Sequence, residues 1–350
     1  MAFLTFFIGS YTQFLSPEIV GSGNGISTVQ LNEDTGKLSV LHTQNTISPS
    51  YLALSEDNNY LYCNTEVIEE ENPMVQAYRI NDDYSLEFLN EQPIKGGCPC
   101  HNEVFDNRVL VACYISGNML EYPLDDSGEL MKCVNNHQHS GSSINLVRQE
   151  APHAHHITVH PNRKDVYVCD LGIDTVKAYK FNDDRLGPNS LGDIDIVKGG
   201  GPRHLVLNKE GSLGYVINEL TSVVSVLKKD EAKFKQIDFY ESLPDSYQGA
   251  RSASAIRIHP NNKFLYVGNR QFDGITIFKT EGEELKLVGY QKTEGKELRE
   301  FNISPSGKWL IACHQNSNDT VVYKIQADGN LNETYRTKEI KTPVCVVFFK

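Results

Sequence analysis

The sequence predicts an all-β chain folded as a seven-bladed β-propeller with four-stranded blades. Three observations carry this reading. A pair of short apolar runs recurs at a period of roughly 50 residues, the signature of a propeller or repeat array. Helical apolar spacing is nearly absent, while Val, Ile, Tyr and Phe alternate with polar residues in short runs. The chain also starts in the middle of a unit, and its last apolar run supplies what the first unit lacks.

The recurring pair is clearest at Pro152-His153-Ala154-His155-His156-Ile157-Thr158-Val159-His160-Pro161, followed by Asp165-Val166-Tyr167-Val168-Cys169-Asp170. A polar entry becomes an apolar strand and stops at a His-Pro turn, and a second strand then ends on a polar residue. The same sentence runs from Gly201-Pro202-Arg203-His204 to Ile217-Asn218-Glu219, from Arg251-Ser252 to Gly268-Asn269-Arg270, and from Leu298-Arg299-Glu300 to Cys313-His314-Gln315. Third and fourth strands follow, as in Thr175-Val176-Lys177-Ala178-Tyr179-Lys180-Phe181, closed by turns such as Asp125-Asp126-Ser127-Gly128.

Six units open with a clear inner strand. Leu4-Thr5-Phe6-Phe7-Ile8-Gly9-Ser10 instead reads as a second strand, and Pro343-Val344-Cys345-Val346-Val347-Phe348-Phe349 reads as its missing inner partner. Seven blades, closed by pairing the two ends of the chain, leave no exposed apolar edge. The expectation is one propeller domain over residues 1–350. Two segments break the period. Residues 66–73 form an acidic stretch read as a solvated loop. Residues 135–152 form a longer polar loop, of the length often used for a binding loop or lid.

The 350 residues carry a formal net charge of −12. That balance argues against nucleic acid or an anionic membrane as partner. The apolar start has no basic flank and no small-residue cleavage site, so it reads as a strand and the protein as cytoplasmic. No apolar run is long enough to span a bilayer. Of the 8 cysteines, Cys63, Cys113, Cys169 and Cys313 share one repeat position, a small wall residue before the polar strand end. Cys98-Pro99-Cys100 has neither zinc-knuckle nor redox spacing.

In a propeller, the entry to each first strand and the exit from each second strand lie at the same end of the central channel. The register therefore gathers His101, His153, His155, Arg203, His204, Arg251 and Arg299 from the entries. From the exits it gathers Tyr11, Asn64, Glu66, Tyr114, Asp170, Asn218, Glu219, Asn269, Arg270, His314 and Gln315. Arginine presents a planar fork that matches carboxylate or phosphate oxygens, so this set predicts a small anionic ligand. His153 and His155 should share a strand face, with His156 turned away. A His-x-His pair could hold a metal, but no acidic ligand is adjacent and the arginines repel a cation, so no metal is expected. A histidine in such a mouth can exchange protons near neutral pH.

These stretches resemble the lactonase family of seven-bladed propellers, which includes propeller-type 6-phosphogluconolactonases and fungal carboxy-muconate cyclases. The likeness spans essentially the whole chain. It is densest at Pro152-His153-Ala154-His155, Gly200-Gly201-Pro202-Arg203-His204, Ile217-Asn218-Glu219-Leu220, Gly268-Asn269-Arg270 and Arg299-Glu300-Phe301-Asn302. The stretch from Gly141-Ser142-Ser143 to Arg148-Gln149 looks like the lid found in part of the family. The resemblance implies His155, Glu219, Arg203 and Arg270 as catalytic residues, and cofactor-free hydrolysis of a sugar lactone. The expected substrate is 6-phospho-D-glucono-1,5-lactone, an intermediate of the pentose phosphate pathway. His153, His204, Asn218, Arg251, Asn269, Arg299, His314 and Gln315 are the expected substrate contacts. Carboxy-muconate lactonisation and a non-catalytic binding propeller are the alternatives, and a calcium lactonase would need an acidic cage that the sequence does not display.

Overall fold

A computed structural model describes residues 2–182, 185–189, 192–231 and 233–349. Met1 and Lys350, the ends of the expected 1–350 domain, lie outside the described residues. The strands assemble into seven antiparallel sheets, each ordered inner to outer as the sequence period requires. In blade 1 the inner strand is Pro343–Phe348, paired with Phe3–Ser10, then Ile26–Asn32 and Leu38–Gln44. Phe6 pairs with Phe348 and Ile8 with Val346, so the last strand closes the ring onto the first. The inner strands of blades 2 to 7 are Pro49–Leu54, Pro99–Phe105, Ala154–Val159, Pro202–Leu207, Ala253–Ile258 and Leu298–Ile303.

The core is distributed between the blades. Each apolar cluster joins the strands of one sheet to the face of the next, for example Tyr215, Ile217 and Val224 with Ile256, Leu265 and Val267. Burying each such side chain contributes roughly 1.5–3 kcal/mol, so the stability sits in the interblade seams. The cysteines belong to this packing: Cys63, Cys113, Cys169 and Cys313 are all fully buried, and no cysteine is in a disulfide. Burial pushes each of these thiols well above its ordinary range.

The His-Pro turns are polar clips between blades. His160 Nδ1 accepts from Asn162 N at 3.0 Å, so its Nε2 carries the proton and donates to Gly211 O at 2.9 Å. His259 repeats this with Asn261 N at 3.1 Å and Gly307 O at 2.9 Å. Gly211 and Gly307 adopt φ of +68° and +71°, and an added Cβ would lie within 2.5 Å of the imidazole of His160 or His259. Only glycine fits the clip.

Three local features differ from the sequence reading. The segment 135–152 is not all loop: Asn135–Gln138 is the outer strand of blade 3, paired with residues 118–121. Blade 4 has an extra short strand, Ile194–Asp195, because its outer strand Arg185–Pro188 covers only the far end of Thr175–Asn182. A small hairpin, Phe14–Ser16 with Ile19–Val20, is inserted into blade 1 beside the channel mouth.

Candidate active site

The channel-facing side chains come from two rings that the fold repeats blade by blade. The first ring is made by β-bulges. In the inner strand of blade 4, Ala154 pairs with Asp170 and His156 with Cys169, so His155 has no cross-strand partner. The same slip leaves Cys100 unpaired in blade 3, Arg203 in blade 5 and Arg299 in blade 7. A bulge re-aims the side chain it contains. It also breaks the alternation expected for the histidines: His155 lines the upper cavity and His156 the lower one, so they stand one above the other. His153 precedes the strand and stacks on Tyr114, ring centroids 4.5 Å apart.

The second ring consists of the first residue after each second strand: Glu66, Tyr114, Glu219, Arg270 and Gln315 in blades 2, 3, 5, 6 and 7. Each N–H bonds the carbonyl that precedes its blade's inner strand, as in Glu219 N to Gly201 O at 2.7 Å and Arg270 N to Ser252 O at 2.8 Å. All five line an upper cavity of about 560 Å³, together with Cys100, His155, Arg299, Arg148, Arg251 and Glu297.

The last residue inside each second strand does not reach it. Asn218 Nδ2 donates to Val223 O and Ser225 Oγ, both at 2.9 Å. Asn269 Nδ2 donates to Ser242 O at 3.1 Å. His314 is fully buried against the Gly295 turn. Neighbouring residues in a strand point to opposite sides, so the pair at each exit divides into one structural and one cavity residue. The structure thus brings Glu219, Arg270 and Gln315 into the cavity wall, with His155, Arg251 and Arg299. It places Asn218, Asn269 and His314 in the blade framework.

Glu219 is the hub. Its Oε1 accepts from Arg148 Nη2 at 2.6 Å, and its Oε2 lies 2.8 Å from Arg270 Nη2 and 3.1 Å from Arg203 Nε. Burial pushes this carboxyl up, but Arg270, Arg148 and Arg203 outweigh burial and hold it well below the usual carboxylate range. Arg203 does not form cavity surface; its side chain is 3% exposed. It lies behind Glu219 and donates through Nη1 to His204 Nε2 at 2.8 Å and to Ser254 O at 2.6 Å. Burial and then Arg270 pull it down to about 10, opposed by Glu219, so it remains a cation at neutral pH.

His155 is buried, and its Nδ1 has no hydrogen-bond partner among the described residues. Burial, then the Arg203 charge, holds it well below its ordinary value, with Glu219 only partly opposing. It is a neutral imidazole at pH 7. Below it, His204 stacks on His156 at 4.3 Å, and His156 lies 4.1 Å from His101. Burial comes first in keeping these three neutral as well. They separate the upper cavity from a lower one of about 470 Å³, where Arg257 pairs with Glu300 at 2.9 Å. His204 therefore belongs to the channel plug and not to the upper wall.

Cys100, Tyr114 and Glu297 join the wall from outside the predicted contacts, and so do Glu66 and Arg148. Glu66, read as the start of a solvated loop, is buried: Tyr11 Oη donates to its Oε2 at 2.8 Å, and Arg299 Nη2 donates to Tyr11 Oη at 2.6 Å. Only its successors Glu69–Glu71 form an exposed turn. Its exit register, identical to that of Glu219, already gathers it at the mouth, and that register, not the loop reading, is what the burial follows. Arg148 comes from the loop 139–153, where no repeat pattern applies, and it bonds Tyr114 Oη at 3.0 Å as well as Glu219. Burial, with help from Glu219 and against Arg148, pushes the Tyr114 phenol up to about 12. The base of that loop is fixed by Asp170, whose Oδ2 lies 2.6 Å from His139 Nδ1 and whose Oδ1 accepts from His153 N at 2.7 Å.

Among the described residues, no group of three or more His, Cys, Asp or Glu is arranged to hold a metal ion. Nor, among the described residues, is any helix long and apolar enough to cross a membrane. The cavity offers one neutral imidazole, a caged carboxylate and several guanidinium groups, a set suited to moving a proton while neutralising a developing oxyanion.

The model of the family described as "Lactonase, 7-bladed beta-propeller" matches residues 5–348. An uncharacterized protein of Staphylococcus aureus (strain USA300) is 30% identical over 355 residues, covering 98% of this chain and 99% of that one. A crystal structure from Bacteroides uniformis, provisionally assigned as a 6-phosphogluconolactonase, is 32% identical with a TM-score of 0.92 over 100% of both chains. Its provisionally assigned counterpart from Bacteroides fragilis is 28% identical with a TM-score of 0.92, over 99% of this chain and 98% of that one. With the repeat register, the bulged inner strands and the family match in agreement, this chain belongs to the lactonase family of seven-bladed β-propellers.

Proposed function

We propose that the upper cavity hydrolyses a sugar lactone without a cofactor, and that the substrate is 6-phospho-D-glucono-1,5-lactone, released as 6-phosphogluconate. The family match and the provisional assignments of the two Bacteroides proteins support the reaction class. The observation that carries the mechanism is His155: a neutral imidazole on the wall shared by Arg270 and Glu219.

In this reading His155 takes a proton from the water that attacks the lactone carbonyl carbon. The new C–O bond moves the carbonyl electron pair onto oxygen, and the Arg270 guanidinium neutralises that oxyanion. Collapse of the intermediate breaks the ring C–O bond, and the ring oxygen takes the proton back from His155. The new carboxylic acid then ionises. One well-placed oxyanion donor contributes about 3–4 kcal/mol to such a step. Glu219 stays ionised at neutral pH, so it serves first as the anchor that orients Arg270 and steadies the imidazolium. Arg203 acts through Glu219 and is a positioning residue.

The direct test supplies the phosphorylated and the free glucono-1,5-lactone and follows acid release in a pH-stat, with a carboxy-muconate monitored by absorbance in parallel. Lactone turnover lost in His155→Ala supports the reading. Turnover of the muconate alone would reassign the site to lactonisation. No turnover of either class would leave a binding propeller.

A further inference from the structure

The five arginines around Glu219 and Glu66 divide by depth. The side chains of Arg203, Arg270 and Arg299 are 3%, 10% and 13% exposed, and lie at the floor. Those of Arg148 and Arg251 are 42% and 44% exposed, and both line the same cavity. These two come from different parts of the chain, the loop 139–153 and the entry to blade 6, yet both attach to one turn after the second strand of blade 5. Arg148 reaches Glu219 Oε1 at 2.6 Å, and Arg251 Nη1 reaches Thr221 O at 2.5 Å.

Each spends one nitrogen on the protein. Arg148 uses Nη2 for both Glu219 and Tyr114, and Arg251 uses Nη1 for both Thr221 O and Glu241. Among the described residues, Nε and the second Nη of each make no hydrogen bond. Arg251, held by Nη1, keeps Nε and Nη2, which share one edge and meet phosphate or carboxylate oxygens in pairs; Arg148, held by Nη2, keeps Nε and Nη1 as two separate single donors. The protein contacts pre-orient the two guanidinium groups, which lowers the ordering cost of binding.

We propose that Arg148 and Arg251 form a subsite at the cavity mouth for a second, anionic group of the substrate, remote from its lactone carbonyl, and so select a phosphorylated sugar lactone over the uncharged one. This rests on the lactone reading above, which places the carbonyl at the floor beside His155 and Arg270. The phosphate of the 1,5-lactone is carried outside the ring on C6, attached beside the ring oxygen, and in this reading it extends towards the mouth. The assignment also gives the loop 139–153 a role, since it delivers one half of the subsite.

The experiment measures kcat/KM for 6-phospho-D-glucono-1,5-lactone and for glucono-1,5-lactone with the native protein, Arg148→Ala, Arg251→Ala and Arg148→Lys. Calorimetry of 6-phosphogluconate and gluconate binding runs alongside. The native protein should prefer the phosphorylated lactone, and each alanine variant should cut that preference at least about tenfold. Arg148→Lys, which keeps the charge, should restore part of it. Both side chains are half exposed, so circular dichroism should show folded variants. A native preference near unity, or one unmoved by both alanine variants, overturns the subsite even if the protein is a lactonase. A calorimetric preference for the phosphorylated acid that depends on both arginines, without lactone turnover, retains the subsite and removes the lactone reading.

Discussion

Gln149 Nε2 donates to Asp174 Oδ1 at 2.7 Å, and this bond ties the loop over the cavity to the turn between the second and third strands of blade 4. The same Asp174 oxygen accepts from Gly201 N at 2.8 Å, and Oδ2 accepts from Gly199 N at 2.6 Å and from Ser143 Oγ. Asp174 is buried and sits at φ +52°, which Asp tolerates better than most residues. One carboxylate thus fixes both the loop that carries Arg148 and the entry that carries Arg203.

Replacing that carboxylate should loosen both. Asp174→Ala is expected to cost about 3 kcal/mol, since hydrogen bonds to a charged group are worth about 1.5–3 kcal/mol each and partners would be stranded. Urea unfolding should show the loss, and limited proteolysis should cut within 139–153. An unchanged midpoint with a protected loop would show that the loop is held by something else.

Glu219→Gln leaves Arg148, Arg203 and Arg270 around a neutral amide. Removing one member of a buried ion cluster costs about 3–5 kcal/mol. Lactone turnover should fall on the order of 100-fold or more, and Arg203→Ala should fall comparably because Glu219 loses a partner. A folded Arg203→Ala protein with full activity would remove Arg203 from the site.

Acid should unfold this protein early. His101, His155, His156 and His204 are held below the ordinary value of 6.5, by burial first and by neighbouring charges second. Below pH 6.5 the unfolded chain binds protons that the folded chain does not, so stability is full above that pH and is lost as pH falls towards the depressed folded values. Each histidine contributes a slope of about 1.4 kcal/mol per pH unit, or about 5.6 kcal/mol per unit for these four, and His137 and His314, each lowered to about 4 by burial first, add to it. Urea midpoints at pH 7 and pH 5.5 measure this, and His156→Gln should flatten the slope by about a sixth. Turnover should hold its neutral-pH value to well below 6.5, because the base stays unprotonated. An acid limb centred at 6.5 would exclude His155 in its present surroundings.

Deleting residues 343–350 removes the inner strand of blade 1, including the buried Val344, Cys345, Val346 and Phe348. At roughly 1.5–3 kcal/mol for each large apolar side chain, the loss approaches the whole stability of an ordinary domain. Cooperative melting should vanish. A truncated protein with an unshifted transition would refute closure through this strand.

The sequence by itself determined the blades, their number and the chain-end closure, because a period-2 alternation repeated about every 50 residues needs no distant information to be read. It also placed the small wall cysteines and the exit residues Glu219, Arg270 and Gln315 within one residue of their neighbours Asn218, Asn269 and His314. Only the tertiary structure decided which member of each pair faces the cavity, since a single bulge or one residue of register moves a side chain to the other face. That is why His155 and His156 both face the central channel, one above the other, instead of pointing apart. Arg148 lay beyond any periodic argument. Its place depends on Asp174, Gln149 and Glu219, three residues brought together by folding and by the need of a buried carboxylate for partners.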